Sequence, residues 1–157
     1  MSLATADIAL RASAPEDRPL LCAIYGSTRA AELALVPWDD AAKHAFVAQQ
    51  FAAQDEHYRR HYPGATLDVI EVGGTPAGRL YVHRGDADIR IMDIALLPQF
   101  RGRGIGTRLL GGLLDEGRAT GRTVSIHVER SNPARNLYER LGFRPAEEHG
   151  IYVLMAC

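Results

Sequence analysis

The stretch from Asp88 to Gly121 leaves this chain few ways to fold. Ile89, Ile91, Ile94, Ala95, Leu96 and Leu97 form an apolar run of strand length. Ile105, Leu109 and Leu113 then recur four apart, as on one face of a helix. Between them stands Leu97-Pro98-Gln99-Phe100-Arg101-Gly102-Arg103-Gly104-Ile105-Gly106-Thr107, which puts three glycines where a strand turns into a helix. Glycine lets backbone approach a ligand and adopts dihedrals closed to other residues. The first N–H groups of a helix lack internal partners, and the helix dipole is positive there. The stretch therefore predicts a socket for phosphate oxygens. Arg101, Arg103 and Arg108 add cationic donors suited to phosphate.

Two common phosphate loops do not fit. A nucleotide-hydrolase loop ends in Gly-Lys-Ser/Thr, whereas Gly106 is followed by Thr107-Arg108. A dinucleotide fingerprint needs a glycine or alanine at its sixth position. Counting from Gly102 that position is Thr107, and from Gly104 it is Leu109.

Arg101-Gly102-Arg103-Gly104-Ile105-Gly106 resembles the R/Q-x-x-G-x-G/A loop of the GCN5-related N-acetyltransferases (GNAT). Asn132-Pro133-Ala134-Arg135-Asn136-Leu137-Tyr138-Glu139-Arg140-Leu141-Gly142-Phe143 resembles the same family's second signature, N-x-x-A-x-x-x-Y-x-x-x-G-F. The two occur in the family's order, and the resemblance runs from about Asp88 to Phe143. It implies a single-domain acetyl-CoA acyltransferase (GNAT) fold over residues 6–157.

The rest of the chain bounds that expectation. A length of 157 residues suits one domain with a real core. A composition of 46% hydrophobic and 24% charged residues is that of a soluble globular protein. The net charge of −1 gives no reason to expect nucleic acid or a membrane surface as a partner. No apolar run approaches the length of a spanning helix, about 18 residues. Met1-Ser2-Leu3-Ala4-Thr5 lacks the basic-then-apolar form of a signal peptide, so a cytoplasmic protein is expected. Cys22 and Cys157 show neither metal nor redox spacing.

In chain order, Ile8–Arg11 reads as a short strand, and Ala14-Pro15-Glu16-Asp17 starts a helix carried on by Leu20, Leu21, Ile24 and Tyr25. Val36-Pro37-Trp38 is a break, after which Asp39 or Asp40 caps a second helix to about Arg60. Phe46, Val47 and Phe51 mark its apolar face; Gln50, Gln54 and His57 share another stripe, a wet face or the border of an acceptor pocket. Leu67–Val72, Gly73-Gly74 and Pro76–His83 read as a hairpin, and the strand Asp88–Leu97 should pair with it antiparallel. A helix from Gly104 to Thr120, a strand from Thr123 to Val128, and a short helix opened by Asn132-Pro133 follow. Phe143 and Ile151–Met155 belong to two last strands around a loop at Glu147–Gly150. The sum is a mixed α+β domain: a mostly antiparallel sheet, helices on both faces, and one parallel crossover, expected to be right-handed.

The resemblance also implies the chemistry. Acetyl-CoA is the expected co-substrate, its pantetheine arm lying in a gap where the strand ending near Leu97 and the strand beginning near Thr123 splay apart at one end. The pyrophosphate would rest on the amides of Arg103 to Thr107, with Arg101 and Gly102 completing the loop. The backbone of Ile94, Ala95 and Leu96 would face the acetyl end. Tyr138 matches the family tyrosine that protonates the leaving thiolate, and Asn132 the asparagine that contacts the cofactor arm, though it also suits a helix cap. For the base, Asp93 is an acid in an apolar strand and His127 an imidazole in the next one. Asp93 ranks first, His127 second, and a water chain is the third candidate. Transfer to the amine, on a small molecule or peptide, is expected to be direct, within a ternary complex. The other class consistent with the sequence is a non-catalytic sensor or structural module that binds acyl-CoA or CoA without turnover. A homodimer is an expectation of the resemblance alone.

Overall fold

The structure is a computed structural model, and it describes residues 7–157. Residue 6, where the domain was expected to start, and the first five residues lie outside the described part.

Among the described residues seven strands form one sheet, in the order β1-β2-β3-β4-β5-β7-β6. The strands are β1 (Ile8–Ala12), β2 (Thr66–Val72), β3 (Thr75–Arg84), β4 (Asp88–Leu96), β5 (Thr123–Glu129), β6 (Arg144–His149) and β7 (Tyr152–Ala156). Every neighbouring pair is antiparallel except β4 with β5. The helices are α1 (Arg18–Leu33), α2 (Asp40–His61), α3 (Ile105–Thr120) and α4 (Arg135–Arg140). Asp39 caps α2 as expected, its carboxylate accepting from the Ala42 N–H at 2.8 Å.

Two cores flank the sheet, which confirms helices on both faces. On one side Ile105, Leu110, Leu113 and Leu114 of α3 and Tyr138 of α4 pack on Ile89, Ile91, Val124, Ile126 and Val128. On the other, Leu21, Ile24 and Tyr25 of α1 and Phe51 of α2 pack on Val69, Tyr81 and Ala95. Burying each such large apolar side chain is worth about 1.5–3 kcal/mol. The apolar face of α3 is centred on Leu110, which is fully buried, while Leu109 is half-buried at its flank.

The expected loop at Glu147–Gly150 is mostly strand. β6 runs on to His149, with Glu147, Glu148 and His149 paired to Leu154, Val153 and Tyr152. The ladder that β7 offers outweighs the weak strand preference of two glutamates. Only Gly150 and Ile151 make the turn, Gly150 at φ 64°. The last helix begins at Arg135 instead of Pro133, because Asn132 to Ala134 first form a turn.

Candidate active site

The parallel pairing of β4 with β5 runs from Asp88↔Thr123 to Ile91↔Ile126 and stops. β4 continues to Leu96 and β5 to Glu129 without pairing again, so these two strands part past Ile91 and Ile126, at one end as the resemblance implied. Backbone groups facing the fork have lost their strand partners and need others. Some are supplied internally: Arg101 Nε donates to the Leu96 carbonyl at 2.9 Å, and the Tyr58 hydroxyl to that of Met92 at 3.2 Å.

A bulge marks the start of the fork. Tyr81 pairs with Asp93 and Val82 with Ile91, so Met92 is the extra residue in β4. Met92 packs on the α1/α2 side, while Ile91 and Ile94 pack on the α3 side. Asp93 is aimed at the α1/α2 side too, where its carboxylate forms an ion pair with Arg79 of β3. Arg79 also donates to Gln54 Oε1 of α2 at 2.7 Å.

Beyond β4 the chain enters α3 through Gly102 at φ 72° and Gly104 at φ 81°, both in the left-handed region. No side chain caps α3, and its first intrahelical bond, from the Arg108 N–H to the Gly104 carbonyl, spans 3.1 Å. The amides of Ile105, Gly106 and Thr107 thus lack helical partners, as a phosphate site requires. A Cβ built on Gly102 or Gly104 would meet nothing within 4 Å, so the loop surface is open to a ligand. Arg101 and Arg103 are engaged within the protein instead of standing free. Arg101 turns back to Leu96 and toward Ser27 of α1, and Arg103 lies over the Phe100 ring at 5.6 Å. In this arrangement the loop offers main-chain amides.

Tyr138 reaches the site from α4, which packs beside the start of α3: a Cβ on Gly106 would stand 3.7 Å from Leu137 Cδ2. Tyr138 is buried against Phe143, ring centroids 6.0 Å apart. Burial first, and the negative charge of Asp93 second, push its phenol up to about 12. Asn132 is exposed, and its side-chain oxygen accepts from the Ala134 N–H at 2.9 Å. The signature sets its asparagine three residues before the alanine, whereas Asn132 stands two before Ala134. The observed role of Asn132 is the turn that opens α4.

His127 is the first β5 residue past the last pair with β4, on the face opposite Ile126 and Val128. It is exposed, 3.2 Å from the Arg90 guanidinium through Nδ1, and edge-on to His149 with centroids 5.8 Å apart. Partial burial, then Arg90 and His149, lower its pKa, against a smaller opposing effect of Glu147. Arginine only donates, so this contact places the ring proton of the neutral imidazole on Nε2.

The fork is bordered by Asp93 and Ile94–Leu96 on β4 and by His127 on β5, the loop from Arg101 to Thr107 follows β4 in the chain, and Tyr138 lies near enough to Asp93 to feel its charge. Of the stripe on α2, Gln54 meets Arg79 and Gln50 accepts from the Tyr25 hydroxyl at 3.0 Å, while His57 stacks on His61 at the surface. Arg79 is what sequence reasoning missed. Its signal was a charge within the strand-like run Ala77-Gly78-Arg79-Leu80-Tyr81-Val82.

A forked sheet followed by a glycine-entered, uncapped helix is the architecture of a protein that holds an extended, phosphate-bearing ligand, and the residues present fit one. The model of the acetyltransferase (GNAT) family matches residues 23–143, and the chain belongs to that family. It is similar to the N-alpha-acetyltransferase RimI of Mycobacterium tuberculosis, 34% identical over 113 residues, 69% of this chain and 62% of that protein. It is also similar to the ribosomal protein bS18-alanine N-acetyltransferase of Haemophilus influenzae, 40% identical over 58 residues, 36% of this chain and 40% of that one. The matches therefore span less than two thirds of these relatives' own lengths. The PaiA N-acetyltransferase of Thermoplasma acidophilum, solved in complex with coenzyme A, shares the fold, with a TM-score of 0.72 and 15% identity over 95% of this chain and 97% of that one. No helix among the described residues is long and apolar enough to cross a membrane.

Proposed function

We propose that this protein is an N-acetyltransferase that moves the acetyl group of acetyl-CoA directly to a primary amine in a ternary complex. One observation carries the reading: the fork between β4 and β5 opens next to the uncapped start of α3, with Tyr138 buried beside it. The amides of Arg103 to Thr107 would hold the pyrophosphate, and the backbone of Ile94 to Leu96 the acetyl end. In the reaction the amine nitrogen bonds to the thioester carbon and the C–S bond breaks. The ammonium proton must leave before attack, and the sulfur must gain one.

Tyr138 suits the second task, because a phenol held up to about 12 is neutral at any physiological pH and can donate. Asp93 suits the first. Its Oδ2 is engaged by Arg79, while its side chain keeps 24% exposure at the fork. His127 stands on the same face, but with Arg90 on Nδ1 it presents a donor. Its place is then beside the acceptor as a hydrogen-bond donor, and base work falls to Asp93.

For the acceptor we infer an α-amino group at a peptide N-terminus. Two relatives are named for such amines. An α-amine, with a pKa of about 7.7–8.0, also sheds its proton far more readily near pH 7 than a lysine at about 10.4.

The test is thiol release from acetyl-CoA over peptides, polyamines, amino acids and aminoglycosides. Peptide N-termini should give the highest kcat/KM. Asp93→Asn should lower it and remove or shift the acidic limb of the pH profile. If that loss appears only in His127→Gln, the base is His127. Acetyl-CoA binding without thiol release across the panel would establish a sensor instead. Replacing Cys22 and Cys157 by alanine should leave turnover intact, and a trapped acetyl-cysteine would overturn direct transfer.

A further inference from the structure

Arg79 is a charged side chain with 2% exposure in the middle of a sheet. Burying a guanidinium is unfavourable unless its charge and its donors are matched. Here the matching groups come from β4, which borders the fork, from β3 beside it, and from helices α1 and α2. Asp93 of the β4 bulge takes Nε, and Gln54 of α2 takes Nη2 at 2.7 Å. Tyr25 of α1 and Tyr81 of β3 turn their rings to the guanidinium carbon, at 5.7 and 4.8 Å from the ring centroids. The same helix pair holds the bulge a second time, through the Tyr58 hydroxyl on the Met92 carbonyl. Four elements therefore converge on one cation, and the one group among its partners that reaches the fork with a charge is Asp93.

The core on this side does not need a cation. Val69, Ile24 and Phe51 fill it with apolar atoms. An aliphatic residue at this place in β3 would pack there without a buried charge, and Asp93 would then be free to swing between rotamers at the mouth of the bulge. A guanidinium fixed by Gln54 and two rings instead holds Asp93 Oδ2 toward Arg79 and leaves Oδ1 outside that bond.

We propose that Arg79 is a positioning residue for acetyl transfer: it fixes the Asp93 carboxylate at the fork and ties helices α1 and α2 to it. This rests on the reading of Asp93 as the base. Arg79 itself touches neither substrate, and acts only through Asp93.

The test is a double-mutant cycle on kcat/KM for a peptide acceptor, with Arg79→Met, Asp93→Asn and the double variant, alongside Arg79→Lys. Arg79→Met should lower kcat/KM at least tenfold while acetyl-CoA affinity by calorimetry stays within about threefold. Arg79→Lys, which keeps the charge near Asp93, should recover part of the loss. In the Asp93→Asn background Arg79→Met should cost less than threefold further, because there is no carboxylate left to place. The double variant removes both charges of the pair, so it reports even if Arg79→Met alone folds poorly. An equal loss in both backgrounds overturns the proposal and leaves the Asp93 reading standing, since Arg79 would then serve the fold alone. Normal turnover in Asp93→Asn overturns the base reading and this proposal with it.

Discussion

Tyr138 and Asp93 lie on opposite faces of the sheet, Tyr138 in the α3 core and Asp93 beneath α1 and α2. The charge of Asp93 adds to burial in holding the Tyr138 phenol in its protonated form. A phenol kept protonated beside a carboxylate is the pairing of donor and acceptor that transfer from an amine to a leaving thiolate requires.

Tyr138→Phe keeps the ring against Phe143 and removes the hydroxyl. General acid catalysis is typically worth about 10²–10⁴-fold. The variant should lose at least about tenfold in kcat, with acetyl-CoA affinity within about threefold, since the hydroxyl matters as charge grows on sulfur. The deficit should shrink with a thioester whose thiol has a low pKa. Wild-type kcat, measured where chemistry limits the rate, would leave Tyr138 a packing residue.

The raised Tyr138 pKa also makes a stability prediction. An unfolded tyrosine titrates near 10, and the folded one near 12. The folded state holds its proton more tightly, so the contribution is whole below pH 10 and is lost as pH rises from 10 to 12. Its full size is on the order of 2–3 kcal/mol. Tyr58, also pushed up chiefly by burial, acts in the same direction. Urea unfolding of wild type and Tyr138→Phe at pH 8, 10 and 11 should show the wild type falling more steeply. Parallel curves would mean that the phenol is not held in its neutral form.

The fold was legible because its decisive signals are local. Glycines between an apolar run and a helical period mark the β4–α3 turn, and Asp39 marks the start of α2. Of the candidate site, such signals reach the glycine turn and Asp93, a charge in an apolar strand, while Tyr138 is singled out only through the resemblance of its segment to a family signature. Arg79 was not, because a buried cation is defined by partners 14 and 25 residues away in sequence, Asp93 and Gln54. The direction of Arg101 was hidden for the same reason. Its partner on α1, Ser27, is 74 residues distant. β6 was shortened in the sequence reading because its glutamates disfavour a strand until β7 pairs with them.

Gly106 separates ligand approach from folding better than Gly104. At φ 81° Gly104 would strain any side chain, so a variant there confounds the two. A Cβ on Gly106 meets only Leu137 Cδ2, at an ordinary 3.7 Å. Gly106→Ala should bind acetyl-CoA within about threefold of wild type, and the resembled loop motif admits alanine there. Gly106→Val should raise the dissociation constant at least tenfold, about 1.4 kcal/mol, with thermal unfolding little changed. Unaltered calorimetric affinity in the valine variant would move the phosphates away from this loop.

Gly78 tests the other side of the fork. It pairs with Leu96 across β3 and β4. A Cβ there would press into the Ala95 carbonyl oxygen and stand 3.0 Å from both Cα and Cδ2 of Leu96. Backbone cannot yield as a side chain tip does, so Gly78→Ala must shift β4 at Ala95 and Leu96, where the acetyl end is expected. Such overpacking typically destabilises by about 1–3 kcal/mol. Val69→Ala, a cavity in β2 on the α1/α2 side and two strands away from β4, serves as a control of similar stability loss. At a temperature where both variants are folded, Gly78→Ala should raise the KM for acetyl-CoA at least fivefold, while Val69→Ala leaves it within about twofold. Equal KM values in the two variants would show that the end of β4 can move without disturbing the cofactor, and the acetyl group would then have to be held by other parts of the fork.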